Sequence, residues 1–455
     1  MDKPEKLLDE QRREYELGEE LGRGGEGIVY RVQNSQLAVK RINNPSRKHR
    51  EQLRNQLIKI KRLDLQGLPI AHPQAMLAEP YLGYVMELLT GMEPLKTLMH
   101  PPEEDFVPWY GLRRRLRLLA HTADILAQVH GKGLAYADPS PNNIFISKTT
   151  EAEEVWLIDA DNLHVQSSPA QRFIYTPDYG APELVSAKGC VNTLTDAHAF
   201  AVIAFKTLAL VHPLIGDYVN EGEPELEEQA MQGKLPWIDE PDNKQNASSD
   251  GLSREIVLSP KLKELCQRSF GLGLKRPQHR PGISEWAEKL HAAADATVNC
   301  PACEGSYYFS KKICPWCDEP RPAFALLHLT LWDHENQKVF TKPNDKKVLI
   351  GQLALTEAES QNIGKRWLSG QMQSIDIPRL HAEIKNQYLV LRSLNDREYL
   401  LKTTKGEETL RQGERFLDLS KAEQYQLHLD TLDKPHRVIR FAYHTTSLKY
   451  QNENT

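Results

Sequence analysis

Residues 136–147 read YADPSPNNIFIS and set Asp138 five positions before Asn143, in a turn rich in proline and asparagine that runs into an apolar, strand-like stretch. Asx residues commonly cap turns, and taken alone the pair needs no other explanation. A second strand-like run follows, EVWLIDADN (154–162), and it too ends in an acidic group, Asp159. Two short strands paired side by side would bring Asp138, Asn143 and Asp159 together at their ends. That set comprises one candidate base and two oxygen ligands of the hard type that Mg²⁺ prefers.

Upstream, GRGGEG carries Gly22, Gly24 and Gly27 and is followed by Val29. Glycine in such a turn lets backbone N–H groups approach phosphate oxygens closely. A glycine-rich hairpin tip is the plainer reading until LAVK is considered, which ends a strand at Lys40, thirteen residues after Gly27. An ammonium there can neutralise phosphates held under the turn. A glycine turn, a lysine and a hard divalent ion together suit phosphoryl transfer from a nucleotide.

Between these segments the patterning changes from period two to period 3.6. Residues 16–42 alternate apolar and polar positions, broken by glycines, and predict strands. SRKHREQLRNQLIKIKRLDL (46–65) predicts a helix, YLGYVMELL (81–89) a strand, and RRRLRLLAHTADILAQVHGKG (113–133) an amphipathic helix ending at glycine. The acidic, then Asn/Ser/Asp/Gly-rich stretch 217–255 predicts a poorly ordered surface insertion.

In this order the segments resemble a eukaryotic-type serine/threonine protein kinase of bacterial style. The resemblance implies an α+β chain with a bilobal kinase fold, residues 16–89 and 90–294 forming the lobes and residues 1–15 an N-terminal tail. It also implies ATP and Mg²⁺ as cofactors and a protein substrate. Gly22, Gly24, Gly27 and Val29 match the glycine-rich loop, and Lys40 matches the lysine on the α- and β-phosphates, with Ala38 beside it. In VMELLTGME, Met86 would be the gatekeeper, the backbones of Glu87 and Leu89 would meet adenine, and Glu93 would reach the ribose. Asp138 matches the catalytic aspartate, Asn143 and Asp159 the magnesium ligands, and Thr176 the residue bracing Asp138. Glu183 would pair with Arg280, and Asp196 would hold the catalytic loop. The A-P-E-like YTPDYGAPEL (175–184) tilts the substrate towards protein hydroxyls. Ser167 and Ser168 become candidate autophosphorylation sites.

Several positions depart from that family. H-R-D is replaced by Tyr136-Ala137-Asp138, the lysine two residues beyond the aspartate by Ser140, and D-F-G by Asp159-Ala160-Asp161. Glu51, the only acidic residue in the candidate helix before Asp64, is the candidate partner for Lys40, at a spacing short for the family, and the sequence leaves that pairing open. A catalytically weak or inactive scaffold that presents its C-terminal domains to a partner is the alternative these losses leave open.

Cys300-Pro-Ala-Cys303 and Cys314-Pro-Trp-Cys317 form two knuckles ten residues apart. Their spacing predicts one tetrahedral, structural Zn²⁺ in a ribbon over residues 298–320. Cys190 and Cys266 read as apolar interior residues. Residues 323–446 predict a β-sandwich, with helix signal confined to 356–370, followed by a tail at 447–455. Their elements resemble a forkhead-associated domain, in which the arginine after the first glycine and the serine before R-x-H are replaced by Gln352 and Pro378, while Arg379, His381 and Asn395 stay. The kinase-lobe details with the ribbon resemble tellurite-resistance-associated kinases, which implies a metal-dependent phosphatase and a von Willebrand-type protein as partners.

The bulk properties agree with a soluble, multi-domain protein. Across 455 residues, 57 Lys and Arg balance 62 Asp and Glu, a formal charge of −5, which points to neither nucleic acid nor a membrane. The N-terminus carries no apolar h-region, so an intracellular, cytoplasmic protein is expected. The most apolar run, AFAVIAFKTLALVHPLIG from Ala199, is broken by Lys206, His212 and Pro213 and predicts a buried helix.

Overall fold

A computed structural model of the chain describes residues 5–25, 27–43, 46–100, 111–166, 173–340, 349–357, 359–370, 377–403, 405–411 and 413–446. The first layer is a six-stranded antiparallel sheet. Its strands are β1 (Lys6–Leu8), β2 (Glu14–Arg23), β3 (Gly27–Val32), β4 (Leu37–Ile42), β5 (Ala75–Met76) and β6 (Gly83–Glu87), in the order β1-β2-β3-β4-β6-β5. Leu7, opposite Tyr15, is buried at the sheet edge, so Lys6–Leu8 belong to the sheet although three residues are too few for a readable period. Asp9 closes that edge by accepting from the N–H groups of Gln11 and Arg13 and from the Tyr15 hydroxyl. Helix α1 (Arg47–Lys61) turns its Leu57–Ile60 face inward, Leu57 towards the sheet and Ile60 into the core of the next lobe.

The next lobe is mainly helical. Helix α2 (Leu112–Gly131) is not the one-sided amphipathic helix its pattern predicts, because α3 (Thr193–Ala209) and α4 (Ile283–Asp295) both pack against it, and even Arg113 and Arg115 are buried. The first part of the apolar run, 199–209, lies largely buried in α3 as expected, and 210–216 lie beyond the end of that helix. Asn192 and Thr195 build a reciprocal capping box at its start. Strands β7 (Met92–Pro94), β9 (Ile144–Ser147) and β10 (Val155–Leu157) form one small sheet, and β8 (Leu134–Ala135) pairs with β11 (His164–Val165). The pairing of β9 with β10 is the one anticipated from the sequence.

The stretch 217–255 differs from expectation: it is folded onto the lobe. Asn246 is fully buried, its Oδ1 accepting from Gly216 N and its Nδ2 donating to the carbonyls of Leu214 and Pro236. One amide thus satisfies three backbone groups, so a polar, loop-like composition can still specify a fixed segment.

Strands β12 (Thr297–Asn299) and β13 (Ser306–Tyr308) form a hairpin that carries the first cysteine knuckle. Beyond it lie two antiparallel sheets around one apolar core. The larger contains β14 (Phe324–Asp333), β15 (Lys338–Val339), β16 (Leu349–Thr356), β20 (Tyr399–Thr403), β21 (Gly406–Leu410), β23 (Gln426–His428) and β24 (His436–His444). The smaller contains β17 (Ser360–Gly364), β18 (Pro378–Lys385), β19 (Tyr388–Ser393) and β22 (Glu414–Asp418). The helix signal over 356–370 shrinks to α5 (Lys365–Ser369), because 349–356 and 360–364 are strands. Gln352 lies in the larger sheet opposite His328, whereas Pro378 lies in the smaller sheet opposite Gly364, so the two positions singled out in the sequence stand in different sheets.

Both C-terminal units dock on α2 and α4. The Arg113 backbone N–H donates to Ser306 Oγ (2.8 Å), its Nε donates to Thr297 Oγ1 (2.7 Å), and its guanidinium pairs with Glu359. Asp295, ending α4, accepts from Arg366 and from Trp367 Nε1 (2.9 Å). Removing one member of a buried pair strands the other charge. Arg113→Ala is therefore expected to lower stability by about 3 to 5 kcal/mol in chemical denaturation.

Candidate active site

The turn at Asp138 is held from beneath by Asp196, in the first turn of α3 and fully buried. Its carboxylate accepts from the backbone N–H of Tyr136 (2.6 Å) and Ala137 (3.0 Å) and is 2.9 Å from His130 Nε2. Ala137 has φ 83°, a left-handed conformation that costs a non-glycine residue free energy and needs such support. One carboxylate thus fixes the backbone leading into Asp138.

Asp138 is in turn held by Thr176, whose N–H donates to Oδ1 (2.7 Å) and whose hydroxyl lies 2.9 and 3.0 Å from the two carboxylate oxygens. Burial pushes the Asp138 pKa up, the Thr176 bonds oppose that, and the net shift is upward. Asn143 Nδ2 donates to the Asp138 carbonyl (3.1 Å), which leaves the side-chain oxygen as the atom suited to a cation. Asp159 also has a positive φ (58°). Its Oδ1 lies 2.9 Å from Lys40 Nζ, although the two residues are 119 positions apart.

Lys40 is buried in β4 and also meets Asp161 Oδ2 at 2.8 Å. Burial disfavours its charge, but the carboxylates of Asp161 and Asp159 outweigh burial and raise its pKa. The candidate partner Glu51 is exposed on α1, so the pairing considered for it from the sequence is corrected. The residue that α1 sends towards this cluster is Gln56, whose Nε2 donates to the Asp161 backbone carbonyl. A glutamine carries no charge to offer the ammonium; Asp161 does. Sequence reasoning passed over Asp161 and Gln56, and the available signals were the second acid of DAD and the scarcity of acids in α1.

The glycine turn divides into two kinds of position. A Cβ on Gly27 would sit 2.5 Å from the Arg41 carbonyl oxygen, so the strand pairing itself demands glycine there. Cβ atoms on Gly22 and Gly24 would meet no protein atom within 4 Å, so the space beside them is open to a close ligand approach. Val29 lies opposite Lys40 in register and Ala38 opposite Met86, and all three apolar residues join one cluster. Glu87 is exposed at the end of β6, Leu89 is half-buried just beyond it, and Glu93 is half-buried in β7. Ser167 and Ser168 lie outside the described residues.

Behind the site, Arg280 pairs with both carboxylate oxygens of Glu183 (2.7 and 2.8 Å) and donates to the carbonyls of Gly273 and Leu194. Tyr136, where the related family has histidine, is buried and donates its hydroxyl to the Ile158 carbonyl. Ala160, fully buried, occupies the place of the phenylalanine. Ser140 is buried, and its hydroxyl offers no positive charge.

The four cysteine sulfurs at 300, 303, 314 and 317 lie within 4.8 Å of one another, Cys300 to Cys317 at 3.5 Å and Cys303 to Cys314 at 3.7 Å. A tetrahedron of Zn–S bonds has edges of about 3.8 Å, so the donor set fits zinc. Burial raises the Cys303 and Cys314 thiol pKa values, a cost that a dication would reverse. Cys266 is fully buried with its thiol pKa also raised by burial, as an interior apolar residue should be.

Residues 15–290 match the family described as Protein kinase domain, and the chain belongs to that family. Among curated relatives it is 27% identical over 234 residues to myosin light chain kinase A of Dictyostelium discoideum, covering 50% of this chain and 75% of that protein. It is 28% identical over 191 residues to the serine/threonine-protein kinase pkn2 of Myxococcus xanthus, covering 40% and 21% respectively. To Pkn1 of the same organism it is 27% identical over 208 residues, covering 43% and 28%. The aligned segment thus spans under a third of each Myxococcus protein. Among the described residues no helix is long and apolar enough to cross a membrane.

Proposed function

We propose that the chain is a serine/threonine protein kinase that transfers the ATP γ-phosphoryl group to protein hydroxyls, itself included. The observation that carries this reading is the convergence, from three separate segments, of Lys40, of Asp138 and Asn143 on one turn, and of Asp159, beside an open glycine turn. Lys40 would bind the α- and β-phosphates, and Gly22 and Gly24 would let backbone approach the phosphates. Val29, Ala38 and Met86 would wall the adenine, the backbones of Glu87 and Leu89 would bond it, and Glu93 would reach the ribose. Asn143 and Asp159 would hold Mg²⁺, which would supply charge neutralisation at the phosphates. Asp138, held by Thr176, would orient and deprotonate the acceptor hydroxyl.

Zinc at the four cysteines would be structural, since four protein ligands leave no open position. The sandwich would serve as a forkhead-associated-like protein-contact module. A metal-dependent phosphatase and a von Willebrand-type protein are the partners that the wider resemblance supports.

The competing reading is a non-catalytic scaffold, favoured by Ser140 in place of the lysine that would touch the transferring phosphate. Incubation of the full chain with Mg-ATP, followed by intact-mass measurement, separates the two. Added mass in steps of one phosphate, on the chain itself or on a generic basic protein, is the expected result. Nucleotide binding without transfer to either acceptor would leave only the scaffold.

A further inference from the structure

The second acid of the DAD triplet lies where no acid is expected, and its surroundings account for it. Asp161 is 8% exposed and sits in the short turn Ala160–Asn162. Its Oδ2 binds Lys40 Nζ from β4, and its backbone carbonyl accepts from Gln56 of α1, so three separately positioned segments meet at one residue. The other carboxylate oxygen, Oδ1, is buried without a protein partner. Desolvating a carboxylate to this extent is costly unless a fixed positive charge compensates it, and Lys40 is that charge.

We propose that Asp161 is the positioning residue for Lys40, taking over from within the metal-ligand segment the anchoring that a helix acid would otherwise supply. The inference rests on the phosphotransfer reading of the same site. Its physical consequence concerns control. When the anchor is an acid on α1, swinging that helix makes or breaks the ion pair. Here the anchor lies two residues beyond Asp159 on the same turn, so placing the metal ligand also places the lysine. Among the described residues, helix α1 meets this segment through a neutral hydrogen bond from Gln56. Formation of the Lys40 pair is thereby coupled to the segment after Asp159 and not to helix rotation.

The test compares three variants of the full chain and one structure. Asp161→Asn keeps shape and removes charge; kcat for autophosphorylation is expected to fall about 10- to 100-fold, with Kd for Mg-ADP changing less than about 3-fold, because the lost interaction matters most when charge develops. Asp161→Glu is expected to recover most of that loss, and Glu51→Gln to stay near wild type. An Asp161→Asn rate within about 2-fold of wild type would overturn the proposal, as would a loss with Glu51→Gln equal to that with Asp161→Asn. If the wild-type chain transfers no phosphate, the phosphotransfer reading fails by itself. The crystal structure with Mg-ADP then still decides the anchor: Lys40 Nζ within hydrogen-bond distance of Asp161 supports it, and Lys40 bonded to an α1 side chain sinks it.

Discussion

Asp138→Asn is expected to reduce phosphoryl transfer by about 10²- to 10⁴-fold while leaving nucleotide affinity nearly unchanged, the range attributed to a positioned general base. The substitution is nearly isosteric. The amide oxygen it introduces can still accept from the Thr176 N–H, and Asp196 continues to hold the backbone of residues 136 and 137. Folding should therefore survive, and the lost charge should show in kcat alone. Intact-mass or radiolabel assays read the rate, and a fluorescent ADP analogue reads affinity. Retention of more than about a tenth of wild-type transfer would remove Asp138 from the role of base. The same carboxyl sets an acid limit. Burial raises its pKa above the ordinary carboxylate value near 3.9, and only the ionised form accepts a proton. Transfer should thus decline as pH falls through a value higher than that of an exposed aspartate, and Asp138→Asn should flatten that limb.

The second large effect concerns the thiolate cluster. The purified chain is expected to carry one zinc ion, and Cys314→Ser to lose it. Apparent metal-binding free energies of about 10 to 16 kcal/mol in small zinc domains are folding free energies, so removal should unfold the ribbon. The damage should spread in a definite direction. Cys300 and Cys314 share an apolar cluster with Val298 and Tyr307 of the hairpin and with Phe324, Leu326 and Ala354 of the larger sheet. The hairpin also supplies Ser306 and Thr297, which hold Arg113. Loss of metal should lower the melting transition of the C-terminal half and expose it to protease, with ADP affinity of the distant cleft preserved. A chain that contains no zinc and is indifferent to chelator would refute this account.

The two effects separate because the cleft and the thiolate cluster draw on different parts of the molecule. Lys40, Asp138 and Asp159 depend on the sheet, the Asp196 support and the β9–β10 pair. The sandwich touches that lobe on α2 and α4, through Arg113 and Asp295. The C-terminal units are therefore fixed to the kinase domain by buried charged contacts, not tethered by a linker.

Much of this was legible in the residues because the signals are local and repetitive. The glycine turn before Val29, the strand carrying Lys40 and the paired runs flanked by Asn143 and Asp159 announce themselves by spacing, and so do two C-x-x-C knuckles. The buried fate of the run at Ala199 followed from its composition. Other features have no local signature. A three-residue edge strand at Lys6–Leu8 is shorter than any period, and the anchoring of 217–255 depends on a single amide, Asn246, finding three backbone partners far along the chain.

The linear order of residues was sufficient for the family, and it pointed to the chemistry proposed for the cleft and to the four-cysteine cluster, since each reading depends on residue type at short separation. Which acid faces Lys40 is a different kind of question. Glu51 and Asp161 are equally acidic on paper, and what divides them is that α1 turns one to water while the turn after Asp159 carries the other to within 2.8 Å of the ammonium. The same holds for Arg113, one of three consecutive arginines, whose burial against Glu359 follows from where the sandwich docks. Coulomb attraction acts through space, so only the packed chain decides which charges are neighbours.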